Sequence, residues 1–237
     1  MTNVNVLAAN LQRVREQIAE ASARARRKPD DVTLVAVSKT FPTAAVLDGY
    51  AAGLRHFGEN RVQEAADKIP AVQAQTPQAH WHLIGHLQRN KVKEAVELFN
   101  LIHSVDSFRL AEAISRRSEA LGKRMPILLE VNLTGEAGRS GMRLDDGAAF
   151  WREAEQICTL PAVQPQGLMT MASYSPRAED ARPVFERLRG LRGELAARLG
   201  GEWPQLSMGM SADFAVAIEE GATLVRIGRA IFGERTW

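Results

Sequence analysis

A lysine near the amino terminus follows a short apolar run, in a position where its amine could do covalent chemistry. Lys39 comes two residues after residues 33–37, which read Thr-Leu-Val-Ala-Val. Such a continuous, β-branched run is typical of a strand buried on both faces. Partial desolvation at the end of a buried strand favours the neutral amine, which can attack an aldehyde and form a Schiff base. The alternative is a lysine that extends from the rim into solvent, and position alone leaves both interpretations open.

Two turns near the carboxyl terminus have the features of an anion site. Residues 211–220 predict a helix with Ser211 as its N-cap, and Gly209 just before it permits close approach of the backbone. Gly228 begins a second turn of this kind, directly after the predicted strand at 224–227. Helix N-termini bind phosphate through free N–H groups and the helix dipole. The pair of turns therefore favours a phosphate site, whereas each turn taken alone is also explained by ordinary helix capping.

One charged residue lies near the end of an apolar run. Arg226 is flanked by Val225 and Ile227, so we expect its guanidinium to be buried and to need a partner. One candidate partner is a carboxylate in an internal salt bridge. The other is the pyridine nitrogen of a cofactor.

These residues belong to a series of apolar runs that alternate with helical patterns. Strands are predicted at 33–37, 55–58, 81–85, 101–105, 127–131, 165–169, 205–208 and 224–227. An extra N-terminal helix is predicted from an apolar face formed by Leu7, Leu11, Val14, Ile18 and Ala21. Eight alternating units predict an α/β fold, a single (β/α)8 TIM barrel, with residues 1–237 as one domain. An open doubly wound sheet is the alternative, but it usually carries a glycine-rich loop after its first strand, where this chain has Ser-Lys-Thr-Phe-Pro.

Composition excludes several classes of protein. The net charge is only +2 in 237 residues and the basic residues are interleaved with acidic ones, so no nucleic-acid partner is predicted. No run of about 20 apolar residues and no signal peptide is present, so we expect no membrane association and a cytoplasmic location. The single cysteine, Cys158, excludes a disulfide framework and is predicted to be a small core residue. No exposed apolar stripe indicates a dimer, so we expect a monomer.

The histidines do not predict a metal site. His80, His82 and His86 are spaced by two and four residues, and the first two share a face of one strand. No cysteine or carboxylate nearby completes a set of ligands. No metal is therefore expected.

Six segments in a fixed order form a specific pattern. They are VAVSKT (35–40), FGENRVQE (57–64), WHLIGHLQ (81–88), IHSVD (102–106), LSMGMSAD (206–213) and VRIGRAIFG (225–233). Together they closely resemble the pyridoxal phosphate homeostasis proteins, single-domain relatives of the alanine racemase barrel. The resemblance runs from about residue 6 to the end of the chain and implies a fold type III barrel that binds pyridoxal 5′-phosphate (PLP).

The resemblance also implies roles for individual residues. Lys39 is implied to form the Schiff base with PLP, Asn60 to lie near the ring and Arg226 to face the pyridine nitrogen. The phosphate is implied to be held by Ser207, Ser211 and the backbone of Gly228.

Three positions of this chain can be compared with the residues that are common in the family. Arg229 stands where many members have a small hydroxyl residue, which puts a side-chain contact with the phosphate in doubt. Arg89 stands where serine is common, and we expect it to be peripheral. Arg139 keeps a basic residue where the family often has lysine near the barrel mouth.

Three functions are compatible with these features. The first, which we favour, is a non-enzymatic protein of vitamin B6 homeostasis that stores PLP and delivers it to apo-enzymes. The second is a PLP-dependent amino-acid racemase or decarboxylase. A racemase needs an acid or base on the second face of the ring, for which Tyr174 is the available tyrosine. The third is an aldolase that uses Lys39 directly, which needs an acidic proton shuttle beside the lysine.

Overall fold

The computed structural model describes residues 4–136, 138–144 and 147–233, and at its centre eight parallel strands close into a barrel. The described residues form nine strands, all but β6 in the barrel: β1 (Thr33–Val37), β2 (His56–Glu59), β3 (His80–Leu83), β4 (Leu101–Val105), β5 (Met125–Asn132), β6 (Met142–Arg143), β7 (Val163–Met169), β8 (Gln205–Ser207) and β9 (Leu224–Ile227). Their order is β4-β3-β2-β1-β9-β8-β7-β5, and pairing of β4 with β5 closes the ring. The two-residue β6 pairs only with the end of β5. The predicted TIM barrel is confirmed.

Helices surround the barrel. They are α1 (Val4–Arg24), α2 (Thr43–Ala51), α3 (Val62–Gln73), α4 (Val92–Leu98), α5 (Phe108–Ala120), α6 (Gly147–Cys158), α7 (Arg182–Leu199), α8 (Phe214–Glu219) and α9 (Arg229–Phe232). The extra N-terminal helix is present as α1, whose predicted apolar face is buried and which packs on α8 and α9. Within the described ranges, no helix has the length and apolar character needed to cross a membrane.

Two local predictions were wrong. The helix predicted to begin at Ser211 begins at Phe214, because residues 211–213 form a turn in which the carboxylate of Asp213 accepts a hydrogen bond from the Met210 N–H at 2.6 Å. Cys158 is exposed rather than part of the core. It follows Ile157, the last buried residue of α6, and one residue further along a helix turns the side chain by about 100°.

The barrel interior changes from apolar to polar along its axis. A small apolar cluster inside the barrel is formed by Val35, Leu101, Leu128, Met169 and Leu224. Side chains two residues apart on a strand point to the same face. The next inward positions toward the carboxyl ends of these strands therefore include Val37, His103, Glu130 and Arg226. All four are buried, and three of them are polar.

Glu130 places a carboxyl group in this polar layer. Its side chain is 3% exposed, and its Oε2 has no hydrogen-bond partner among the described residues. Burial raises the pKa of Glu130 to about 7, and the nearby Asp106 adds to this effect, although Arg226 and Arg139 oppose it. A carboxyl group that gains its charge near neutral pH therefore lies beside Arg226.

Close backbone contact joins the ends of β2 and β3. Gly85 follows β3, and a Cβ atom added there would lie 2.4 Å from the carbonyl oxygen of Asn60 and 2.9 Å from its Cα. Only glycine permits this approach. The position of the Asn60 backbone thus depends on the absence of a side chain at residue 85.

We expect Gly85→Ala to destabilise the protein by about 1–3 kcal/mol, because the new methyl group must displace the Asn60 backbone. Denaturant unfolding followed by circular dichroism measures this change. Gly193→Ala is the matched control, since a Cβ there meets nothing within 4 Å on the exposed face of α7. The control should be neutral or stabilised by about 0.5–1 kcal/mol. Equal stability of the two variants would contradict the expectation.

We expect Glu130→Gln to be more stable relative to wild type at pH 8 than it is at pH 5. The folded-state pKa of Glu130, about 7, lies above its unfolded value near 4.3, so the stability that the protonated carboxyl contributes is lost as the pH rises through 7. Glutamine cannot ionise and avoids that loss, which amounts to about 2–3 kcal/mol between pH 5 and pH 8. Urea unfolding at both pH values tests this, with the exposed Glu202→Gln as control. A difference from wild type that is the same at both pH values would contradict the raised pKa of Glu130.

Candidate functional site

A cavity of about 650 Å³ opens at the carboxyl ends of the barrel strands. Its volume lies within the range typical of small-molecule sites. Five of the six predicted site residues line it: Lys39, Asn60, Ser211, Arg226 and Gly228. The remaining lining residues are Val37, Phe41, Ile84, Arg139, Met171, Ala172, Ser173, Tyr174, Ser175, Met210, Ala212, Asp213 and Arg229.

The charge of the cavity wall favours an anionic ligand. Cationic side chains come from Lys39, Arg139, Arg226 and Arg229, whereas Asp213 is the one carboxylate among the lining residues. Groups of one sign around a concave site attract ligands of the opposite sign. The cavity therefore suits a molecule that carries a phosphate or carboxylate group.

A buried ion pair positions the segment that carries Lys39. The Lys68 ammonium donates hydrogen bonds to the carbonyl oxygen of Ser38 at 2.8 Å and to the carboxylate of Glu59 at 2.7 Å. The Ser38 hydroxyl donates to the same oxygen of Glu59 at 2.7 Å. Burial raises the pKa of Glu59, while Lys68 and the hydrogen bonds oppose that shift. The residues directly before Lys39 and directly before Asn60 are thereby tied together.

Sequence reasoning missed this ion pair. Glu59 lies within the segment 57–64 of the family pattern, and Lys68 lies nine residues further on, in α3. The available signal was a carboxylate expected at the buried end of a strand, which needs a cationic or donor partner.

The turn that follows Lys39 is also held in place. Thr40 has a φ of 65°, which is uncommon for a residue other than glycine, and its N–H donates to the Glu64 carboxylate at 3.3 Å. Lys39 itself is half-buried at the cavity wall. A half-buried amine between two fixed segments can be presented to a ligand in a defined direction.

Arg226 is buried at the inner wall of the cavity and is held from two sides. The residue is 4% exposed, and its Nη1 and Nη2 atoms donate to the Ser207 hydroxyl and to the Thr170 carbonyl oxygen, the latter at 2.9 Å. Burial lowers the pKa of Arg226 to about 10, and the charges of Asp213 and Glu130 limit that shift. The guanidinium is therefore charged at neutral pH, with hydrogen-bond donors at the cavity wall.

Ser207 is placed differently from the other predicted residues. Its side chain is fully buried and it is not part of the cavity wall. Its hydroxyl group contacts Arg226 and also lies 2.8 Å from Nδ1 of His103, a residue that the sequence alone does not connect with the site. Ser207 thus contacts the back of the site and not its surface.

The turn after β8 depends on a glycine. Gly209 has a φ of 90°, and a Cβ there would lie 2.6 Å from the Cβ of Ala217. Its absence lets α8 pack against the strand end, which brings Ser211 and Asp213 to the cavity wall. Burial raises the pKa of the Asp213 carboxyl, and its hydrogen bond from Met210 opposes the shift.

The histidines do not assemble a metal site. Within residues 4–136, 138–144 and 147–233, no group of three or more His, Cys, Asp or Glu side chains could hold a metal ion. His80 is exposed, His82 is buried in the barrel, and His86 lies 3.4 Å from the carboxylate of Asp106.

Comparisons with known proteins match this architecture over nearly the whole chain. Residues 9–236 match the family model of the alanine racemase N-terminal domain. The pyridoxal phosphate homeostasis protein of Aquifex aeolicus is 43% identical over 96% of this chain and 97% of its own. The protein of that name from Pseudomonas aeruginosa is 42% identical over 99% and 98%.

A solved structure agrees with these relatives. PipY of Synechococcus elongatus, solved with PLP bound, is 42% identical and superposes with a TM-score of 0.81 over 91% of this chain and 100% of PipY. The barrel, the cavity at its strand ends and the relatives lead to one assignment: the chain belongs to the pyridoxal phosphate homeostasis protein family, within the alanine racemase N-terminal domain superfamily of barrels.

Proposed function

We propose that this protein binds PLP as a Schiff base on Lys39 and serves as a store of the cofactor in vitamin B6 homeostasis. The observation that carries the proposal is that Lys39, Asn60, Ser211, Arg226 and Gly228 line one cationic cavity. The names of the relatives and the PLP-bound structure of PipY support the identity of the ligand. When bound, PLP supplies an aldehyde for the amine and a ring that can take up electrons.

The wall of the cavity fits the parts of such a ligand. The turns at Ser211 and Gly228, with the guanidinium of Arg229 beside them, are suited to a phosphate group. Arg229 can supply a charged contact where the family often has a hydroxyl group. Asn60 and Arg226 are the polar residues available to the ring and its nitrogen. For Ser207 we propose a supporting role behind Arg226, because its hydroxyl is already engaged there.

The environment of Arg226 supports storage over turnover. A guanidinium has only hydrogen-bond donors, so a pyridine nitrogen that faces it must accept and stays unprotonated. An unprotonated ring withdraws electrons less strongly from a bound amino acid. Arg226 therefore favours a protein that holds PLP and passes it to apo-enzymes. A cytoplasmic, monomeric protein remains part of this proposal.

One residue favours the racemase alternative. Tyr174 lines the cavity and is 86% exposed at its mouth, where its hydroxyl could reach a bound amino acid. Such exposure leaves the phenol solvated and without the positioning that proton transfer needs. We therefore assign Tyr174 no catalytic step.

The purified protein incubated with PLP should show an absorbance band of a protonated Schiff base that borohydride abolishes. Peptide mass mapping after reduction should then find the pyridoxyl group on Lys39. Lys39→Ala should lose both signals, because no other lysine lines the cavity. Lys93→Ala, which removes an exposed lysine, is the control and should keep both. A pyridoxyl group on another lysine of the wild-type protein would overturn the assignment.

We expect no D-alanine when the PLP-loaded protein is incubated with L-alanine, because the ring is a weak electron sink beside Arg226 and the exposed Tyr174 is not positioned as a second acid or base. Chiral chromatography over many molar equivalents of substrate measures this. Multiple turnovers would favour the racemase. Tyr174→Phe would then show whether the Tyr174 hydroxyl is the acid or base of that turnover, since the variant removes the hydroxyl and leaves the ring.

A further inference from the structure

A chain of hydrogen-bonded side chains crosses the barrel interior behind the cavity. His56 Nδ1 lies 3.0 Å from His82 Nε2, and His82 Nδ1 lies 2.9 Å from His103 Nε2. His103 Nδ1 lies 2.8 Å from the Ser207 hydroxyl, which also receives a hydrogen bond from Arg226. Four strands contribute to the chain up to Ser207, and Arg226 on β9 ends it.

The histidines of the chain are uncharged at neutral pH. Burial lowers the pKa of His82 to about 3 and that of His103 well below its usual value, and it also lowers the pKa of His56. Neighbouring histidines, and Arg226 in the case of His103, lower these values further. A neutral imidazole has one N–H donor and one acceptor nitrogen, so every contact in the chain has a direction.

Arg226 sets that direction. Its guanidinium can only donate, so the Ser207 oxygen accepts from it. The hydrogen of the buried Ser207 hydroxyl then needs an acceptor, and the described contact that offers one is His103 Nδ1. His103 therefore carries its proton on Nε2 and donates it to Nδ1 of His82.

The same order continues to the end of the chain. His82 accepts at Nδ1, so it carries its proton on Nε2 and donates it to Nδ1 of His56. His56 is half-buried at the start of β2, where its own Nε2 proton can reach solvent. Each buried donor thus finds an acceptor, and the last one is left at the surface.

We propose that Ser207 and His103 are positioning residues for Arg226, locked by a one-directional chain of three Nε2-protonated histidines. The chain holds the Nη1 side of the guanidinium and the Thr170 carbonyl holds the Nη2 side. Each Nη atom keeps a second N–H, so the group is fixed while donors remain for a ligand. That this ligand is PLP rests on the function proposed above, whereas the locked guanidinium and the tautomers belong to the ligand-free protein.

The first test uses ligand-free protein labelled with ¹⁵N at histidine and arginine. Long-range ¹H–¹⁵N spectra at pH 7 should show the neutral Nε2–H form for His56, His82 and His103. The Nη1 and Nη2 signals of Arg226 should be separate, because rotation of the guanidinium is hindered. A proton on Nδ1 of His103, or averaged Nη signals, would overturn the proposal whether or not PLP binds.

The second test breaks the chain. Ser207→Ala removes one hydroxyl from a small side chain and should merge the Nη signals of Arg226 and weaken PLP binding about tenfold, the effect of one lost hydrogen bond. His103→Leu should act likewise, and His103→Gln should restore much of the affinity, because an amide can accept from Ser207 and donate to His82.

The matched control is His80→Leu. His80 lies on the same strand as His82, and its ring stacks on His56 with 5.0 Å between the ring centroids. Its ring takes no part in the hydrogen-bonded series from His56 to Ser207. This variant should keep the tautomers of His82 and His103, the Arg226 signals and the PLP affinity. Equal losses in His80→Leu and Ser207→Ala would contradict the positioning role. Wild-type protein with the expected tautomers but no PLP affinity would instead contradict only the proposed function.

Discussion

The buried charge of Arg226 is the constraint on which the barrel interior depends. An ionised group away from water costs several kcal/mol unless it is paired and hydrogen-bonded, and a guanidinium cannot escape that cost by losing its proton at neutral pH. The layer around it is accordingly polar. Ser207 and the Thr170 carbonyl accept its hydrogen bonds, and Glu130 and Asp213 supply negative charge. Apolar packing resumes only in the next layer of the barrel.

A second buried charge has the same effect at the ends of β1 and β2. Separating the Lys68 ammonium from the Glu59 carboxylate would leave two uncompensated buried charges, so the pair holds its geometry tightly. The bonds to Ser38 transmit that rigidity to the backbone on either side of the cavity. Positioning of the segment that carries Lys39 therefore comes from two charged groups, Glu59 and Lys68, that are not part of the cavity wall.

The sequence revealed the wall of the cavity better than its support. Lys39 and Arg226 could be placed because the carboxyl ends of parallel strands converge on one face, so a local pattern on each strand was sufficient. The bond between His103 and Ser207 joins residues 104 positions apart across the barrel. No local pattern shows which strands face each other inside a closed ring. The wrong N-cap at Ser211 has a similar origin, because the turn over 211–213 that delays the start of α8 depends on the hydrogen bond from Met210 to Asp213, which residue preferences at helix ends do not reveal.

The support of Arg226 and the nature of the function are physically linked. A second cation beside the guanidinium would be repelled, and the lowered pKa values of His103 and His82 keep these two imidazoles uncharged. Neutral histidines can then only pass hydrogen bonds along, which fixes the guanidinium instead of competing with it. A ring nitrogen that faces such a group is held firmly and kept unprotonated. In the proposed function, the arrangement that makes Arg226 an anchor for PLP would therefore also make the bound ring a weaker catalyst.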